Sequence, residues 1–199
     1  TPRRNMNFLG HLFFSNNDPQ LMHANLLGDS VKGKDYSHLP QKIQDGVKLH
    51  RTIDNYIDTH PVVLELLREL YKPLPKISGI AVDLYFDHLL ARNWSSFHEK
   101  SLKEFVKDFY AIEFKTPEQY SYRFDFMIGK MKEFDWLYGY RNHSGLTQAC
   151  LGLSRRISFE NVLAKAPEIF LECEESIELA FNKFMSDAIP FFESYFKEN

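Results

Sequence analysis

The segments LHRTIDNYID (residues 49–58) and VDLYFDHLLARNW (82–94) decide the fold. In the first, His50 and Asp54 stand four residues apart, as do Asp54 and Asp58. The second repeats the spacing with Asp83 and Asp87, and His88 follows directly. Residues four apart share one face of an α-helix, so each segment presents its ionisable groups along a single stripe. Most of the remaining positions are apolar, among them Leu49, Ile53, Ile57, Val82, Leu84, Phe86, Leu89 and Leu90. Carboxylates set into an apolar helix are costly to bury unless they are paired or hold a cation.

Outward from these segments, the chain reads as helix after helix. Asp18 and Pro19 suit a helix N-terminus, and the pattern Leu21, Met22, Leu26, Leu27 extends it to about residue 33. Residues 40–60 form the helix carrying His50, which stops before Pro61 because a residue preceding proline resists the helical region. Further helices are expected at 62–71, 77–94, 102–112, 117–136 and 142–157. A long amphipathic pattern covers 159–196, which Pro190 should kink or end. On the 117–136 helix, Tyr120, Phe124, Met127, Ile128 and Met131 form the expected inner face. The stretch at 7–16 is apolar but fits helix and strand equally. No alternating strand run, repeat or low-complexity linker interrupts the series. The expected fold class is all-α, a single-domain multi-helix bundle over residues 6–199, with residues 1–5 as an extension ahead of a natural start at Met6.

Bulk properties narrow the function. With 18 Phe and 10 Tyr among 199 residues, the chain has material for a large core. A net charge of −3 gives no global reason to expect nucleic-acid or anionic-membrane binding. No apolar run reaches the roughly 18 residues that a membrane span needs, and residues 1–10 lack a secretory apolar region. Cys150 and Cys173 lack metal-site spacing and read as buried thiols of a reducing, cytoplasmic protein.

The polar groups inside apolar stretches are His11, Asn25, Asp29, His50, Asp54, Asp58, Asp83, Asp87 and His88. Histidines and aspartates without cysteine suit a divalent cation such as Mn²⁺, Fe²⁺, Mg²⁺ or Zn²⁺. Held on facing helices, such a cation would acidify water for attack on a phosphoryl or carbonyl centre. Lys32, Arg51 and Arg92 are candidate phosphate clamps. Plainer roles compete. His11 beside Phe8 and Phe13 suits a hydrogen-bonded core histidine, Asn25 and Asp29 suit a surface pair, and Asp58 suits a cap or a partner for Arg51 or Lys48. His50 with Asp54 also suits an ordinary ion pair. His23, His38, His98 and His143 stand in polar surroundings and are assigned nothing.

The phrases MNFLGHLFFS (6–15), NLLGDSVKG (25–33), GVKLHRTIDNYIDTHP (46–61), AVDLYFDHLLARNW (81–94) and YGYRNHSGLTQACLGLSRRI (138–157) resemble the acyl carrier protein phosphodiesterase family. The likeness runs from Met6 to about Arg156 and is densest before Trp94. It implies an all-helical relative of the HD phosphohydrolases, with a divalent metal, Mn²⁺ favoured and Mg²⁺ or Fe²⁺ as alternatives. It implies hydrolysis of the phosphodiester joining 4′-phosphopantetheine to a serine of holo-acyl carrier protein. It also implies a site lined by His11, Asp29, His50, Asp54, Asp83 and Asp87, with His50, Asp54, Asp87 and His88 available for proton transfer. The order here is Asp87-His88, the reverse of the dipeptide that gives HD enzymes their name. An acidic carrier protein would meet a local basic surface drawn from Lys32, Lys34, Lys48, Arg51, Arg68, Lys72 and Lys76. Two alternatives stand beside this expectation: an HD-like phosphohydrolase acting on a nucleotide or another small phosphoester, and a non-catalytic helical binding protein.

Overall fold

A computed structural model describes residues 8–198 as eleven α-helices and two short 3₁₀ turns, with no strand among the described residues. The order is α1 (Phe8–Phe13), α2 (Pro19–Gly28), α3 (Gln41–Thr59), α4 (Pro61–Leu70), α5 (Ser78–Arg92), α6 (Leu102–Ala111), α7 (Glu118–Glu133), α8 (Trp136–Gly139), α9 (His143–Ser154), α10 (Ala166–Glu172) and α11 (Glu174–Glu198). The expected extension at residues 1–5 lies outside the described residues.

Local chemistry starts several of these helices. Asp18 accepts hydrogen bonds from the N–H groups of Gln20 and Leu21, with Pro19 in the first turn of α2. Ser101 and Glu104 form a reciprocal capping box at α6. His60 is extended ahead of Pro61, which separates α3 from α4 as the sequence predicts.

The buried helix α5 is the axis of the fold. Ala81, Val82, Leu84, Tyr85, Phe86, Leu89 and Leu90 are all buried along it. Around it pack α1, α4, α9 and α11. Tyr85 donates a hydrogen bond to the Ala166 carbonyl at 2.6 Å, and Arg92 reaches Glu174 and Glu178 at the start of α11.

On the other side of α1, helices α2 and α3 pack face to face with unusually close backbones. A Cβ on Gly46 would lie 2.4 Å from the Ala24 carbonyl carbon, and one on Gly28 would lie 2.7 Å from the His50 Cβ. Two glycines therefore set the approach that brings His50 under α2.

Four element expectations change. The 7–16 stretch is helical from Phe8 to Phe13, and Asn16 and Asn17 at φ 54° turn the chain into α2. Helix α2 ends at Gly28 rather than near residue 33, because Arg51 draws the following loop onto α3 by donating to the Val31 and Gly33 carbonyls. The 117–136 helix breaks at Asp135, which adopts φ 50°, and its expected inner face is buried only at Phe124 and Met131. The C-terminal pattern is not continuous. It splits at Cys173 into α10 and α11, and α11 runs through Pro190 to Glu198 instead of ending there. A proline removes one N–H from the ladder, and the apolar face of α11 carrying Phe184, Met185, Ala188 and Phe192 holds the helix across that gap.

Candidate metal centre

Helices α1, α2 and α3 converge on a buried polar cluster. His11 comes from α1, Asn25 from α2, and His50 and Asp54 from successive turns of α3. All four are buried, Asn25 completely. The two imidazoles stack with centroids 4.2 Å apart and planes at 15°.

Asn25 orders the cluster. Its amide nitrogen donates to the His11 carbonyl at 2.9 Å and to Ser15 Oγ at 3.0 Å, which fixes the oxygen on the imidazole side. That oxygen lies 2.8 Å from His11 Nδ1 and 3.2 Å from His50 Nδ1. An amide oxygen can only accept, so both rings carry their proton on Nδ1 and turn Nε2 toward Asp54. The Nε2 atoms lie 3.3 and 3.4 Å from the two Asp54 oxygens. The buried His11 Nε2 has no hydrogen-bond partner.

Three acceptor-type groups thus face one another. Candidate donor atoms of His11, His50 and Asp54 lie within 4.8 Å of one another. Ligands about 2.1 Å from a common ion lie roughly 3.0–3.4 Å apart when adjacent, and each Nε2 stands at that spacing from one Asp54 oxygen. An orphaned buried nitrogen, a two-imidazole and carboxylate donor set, and Nδ1 protons anchored by an outer amide all fit a divalent metal.

Electrostatics keep the imidazole donor ready. Burial, with His11 alongside, pushes His50 down to about 3, against the opposing pull of Asp54. The ring is then neutral throughout the physiological range. The unfolded chain, by contrast, takes up this proton below its ordinary value of about 6.5. Metal-free protein should therefore lose stability as pH falls from about 6.5 toward 3, by up to about 1.4 kcal/mol per unit from this group. Urea unfolding of wild type and His50→Gln at stepped pH checks this. The variant should show the shallower acid slope.

The other predicted residues spread around this core. Asp29, which follows Gly28 at the end of α2, keeps surface exposure yet is partly desolvated, and this and Asp54 raise its pKa against the effect of Lys32. Asp83 is held well above the usual carboxylate range by burial and by Asp58, Asp87 and Asp54. Both belong to the electrostatic surroundings of Asp54.

Asp87 has a different task. Its two oxygens accept the Leu9 and Gly10 N–H groups at 2.9 and 2.8 Å, capping the start of α1 from a distant part of the chain. Burial pushes it up to about 8 despite those two donors. It anchors the helix that carries His11 and does not join the three-residue donor cluster.

Three expected residues are committed elsewhere. His88 sits against the Tyr140 carbonyl, Nδ1 to oxygen 2.6 Å, with Phe170 edge-on. Arg92 is engaged by Glu174 and Glu178, so the expected phosphate clamp there is replaced by a tie between α5 and α11. Arg51 holds the α2–α3 loop and stacks over Tyr36. Lys32 stays beside the site, bonded to the Asp29 carbonyl and acting on both Asp29 and His50.

Sequence reading gave no role to Asn25 as the common anchor. Its only signal is a polar residue among Leu21, Met22, Leu26 and Leu27. His23 also departs from expectation: it is buried and stacked on Phe109 and Phe114 rather than in polar surroundings. Cys150 and Cys173 are free thiols, the first buried and the second half-buried.

Comparison with known proteins adds an independent finding. The family model described as acyl carrier protein phosphodiesterase matches residues 6–188. A protein of that name from Enterobacter sp. (strain 638) is 36% identical over 104 residues, 51% of this chain and 53% of the relative. One from Salmonella agona (strain SL483) is 33% identical over 90 residues, 45% of this chain and 47% of the relative. The chain spans about half the length of the curated relatives it matches. No solved structure gives a significant match.

Proposed function

Because this chain belongs to the acyl carrier protein phosphodiesterase family, we propose that it hydrolyses the phosphodiester joining 4′-phosphopantetheine to the serine of holo-acyl carrier protein. The observation that carries this reading is the convergence of His11 Nε2, His50 Nε2 and Asp54 with no donor among them. We assign those three residues to a divalent metal, Mn²⁺ first, with Mg²⁺ or Fe²⁺ as alternatives. Such an ion supplies a Lewis acid for the phosphoryl oxygens and lowers the pKa of water.

The chain's own groups do the rest. Asn25 keeps both imidazoles in the Nδ1–H form, so that both Nε2 atoms serve as ligands. Asp29, at the rim beside Asp54, is placed to accept a proton from the attacking water. Lys32 sets a positive charge at the same edge for the phosphate. Asp83, whose surroundings favour its protonated form, is the group we assign to protonate the departing serine oxygen in place of His88. Both assignments have a test: Asp29→Asn should flatten the acid limb of the pH–rate profile, and Asp83→Asn the alkaline limb.

The protein partner would be met by local charge. Lys34, Lys48, Arg68, Lys72 and Lys76 are exposed, and Lys32 and Lys34 lie in the loop leaving the site. The Michaelis constant for holo-carrier protein should therefore rise with ionic strength, about tenfold between roughly 0.05 and 0.5 M salt. A value independent of salt would contradict a charge-guided encounter. No helix of the described residues is long and apolar enough to cross a membrane.

The direct test is conversion of holo- to apo-carrier protein, followed by mass spectrometry with Mn²⁺ and with a chelator. Metal-dependent release of 4′-phosphopantetheine supports the reading. Hydrolysis of nucleotides with holo-carrier protein left intact would replace it.

A further inference from the structure

A cavity of about 490 Å³, which the chemistry above does not use, opens among α1, α5, α8 and α9. Its walls include Phe8 of α1, Leu84 of α5, Trp136 of α8, and Gln148 and Gly152 of α9, with Arg155 beyond the end of α9. It shares two helices with the site: Phe8 stands three residues before His11, and Leu84 follows Asp83. The volume falls in the range of sites that enclose a small organic ligand, about 300–1,000 Å³.

We propose that this cavity holds the pantetheine arm of the substrate while its phosphodiester lies at the metal centre. The inference rests on the function proposed above and adds to it where the arm binds. The arm is an uncharged chain of methylenes and a dimethyl carbon interrupted by two amides, ending in a thiol. Phe8, Leu84 and Trp136 match its apolar segments, and Gln148 can donate to and accept from an amide. Arg155 is exposed at the lip, where the acidic carrier protein would stand.

Gly152 is the most telling wall residue. Glycine within a helix is destabilising by about 0.5–1 kcal/mol relative to alanine. Its neighbour Gly145 has a packing reason, since a Cβ there would lie 2.1 Å from the Gly139 carbonyl oxygen. Gly152 has none: a Cβ there meets nothing within 4 Å. A Cβ at that position meets open space at the wall of the cavity, so a side chain can be added there without a clash at its first atom.

The test uses Gly152→Leu in the full chain, with Gly152→Ala as a smaller step. Both should keep or raise the melting temperature and leave Mn²⁺ uptake unchanged. Pantetheine, which lacks the phosphate, is the probe for the cavity. Metal-free wild type should bind it, and Gly152→Leu should weaken that binding at least tenfold and lower kcat/KM for holo-carrier protein by a similar factor, with Gly152→Ala between. Equal pantetheine binding by wild type and Gly152→Leu, or no binding by wild type, would overturn the cavity assignment even if holo-carrier protein is converted. Binding lost in the variant while wild type leaves holo-carrier protein intact would uphold the cavity and overturn the function.

Discussion

Asp54→Asn should abolish high-affinity Mn²⁺ uptake and lower turnover of holo-carrier protein about a thousandfold or more, while the metal-free protein stays folded. The reason lies in the cluster's composition. Among the described residues, Asp54 is the carboxylate whose oxygens face both Nε2 atoms, at 3.3 and 3.4 Å. Its side chain is 12% exposed, so most of its hydration is lost on folding. An amide in its place removes the anionic ligand and sets a neutral dipole opposite two imidazoles. Several kcal/mol of charge stabilisation disappear with the metal, and each 1.36 kcal/mol is tenfold in rate. Without metal, the amide keeps the size of the side chain and can donate to an Nε2 atom, so the melting temperature should stay close to that of wild type. A metal titration by calorimetry and a thermal melt in chelator separate the two effects. A large drop in chelated stability would make Asp54 a structural ion-pair partner instead.

Asp87→Ala should do the opposite, destabilising the fold by about 3 kcal/mol and reducing activity through displacement of His11. Both Asp87 oxygens accept N–H groups at the start of α1, and the residue is buried. Truncation orphans the Leu9 and Gly10 donors in a place water reaches poorly, and an unsatisfied buried donor costs about 1–3 kcal/mol. Saturating Mn²⁺ should restore much of the lost activity, because metal binding favours the ordered cluster by mass action. Asp87→Asn, which keeps one acceptor oxygen, should lose less stability than alanine. If Asp87→Ala melts like wild type, its role as the anchor of α1 is wrong and a direct role in catalysis returns.

This division between Asp54 and Asp87 marks how far the sequence could be read. Four-residue spacing placed His50 and Asp54 on one stripe of α3, and Asp83 and Asp87 on one stripe of α5, because helical periodicity is a local property. Which carboxylate faces which neighbour depends on long-range packing. Asp87 meets α1, 77 residues away from Gly10 in sequence, and no spacing rule reaches that far. Asn25 was legible only as a polar residue in an apolar helix. Its function arises when Gly28 and Gly46 let α3 approach α2 closely enough for one amide oxygen to serve two rings. Arg92 looked available for phosphate because its partners, Glu174 and Glu178, lie at the far end of the chain. The C-terminal pattern misled in another way: an amphipathic period continues across Cys173, where the backbone itself turns out of the helix.

The family match and the metal geometry bear on different parts of the account. Membership directs attention to a phosphodiester on a carrier protein. The donor cluster, with its amide-locked tautomers, supports metal-assisted hydrolysis on physical grounds that do not depend on the match. The two meet in one prediction: the reaction should require the metal, and the metal should require Asp54.

The most direct measurement is therefore the mass of holo-acyl carrier protein after incubation with wild type and with Asp54→Asn, each with Mn²⁺ and with chelator. Loss of the 4′-phosphopantetheine group is expected only with wild type and Mn²⁺. Equal loss in chelator, or an Asp54→Asn variant as active as wild type, would contradict this expectation.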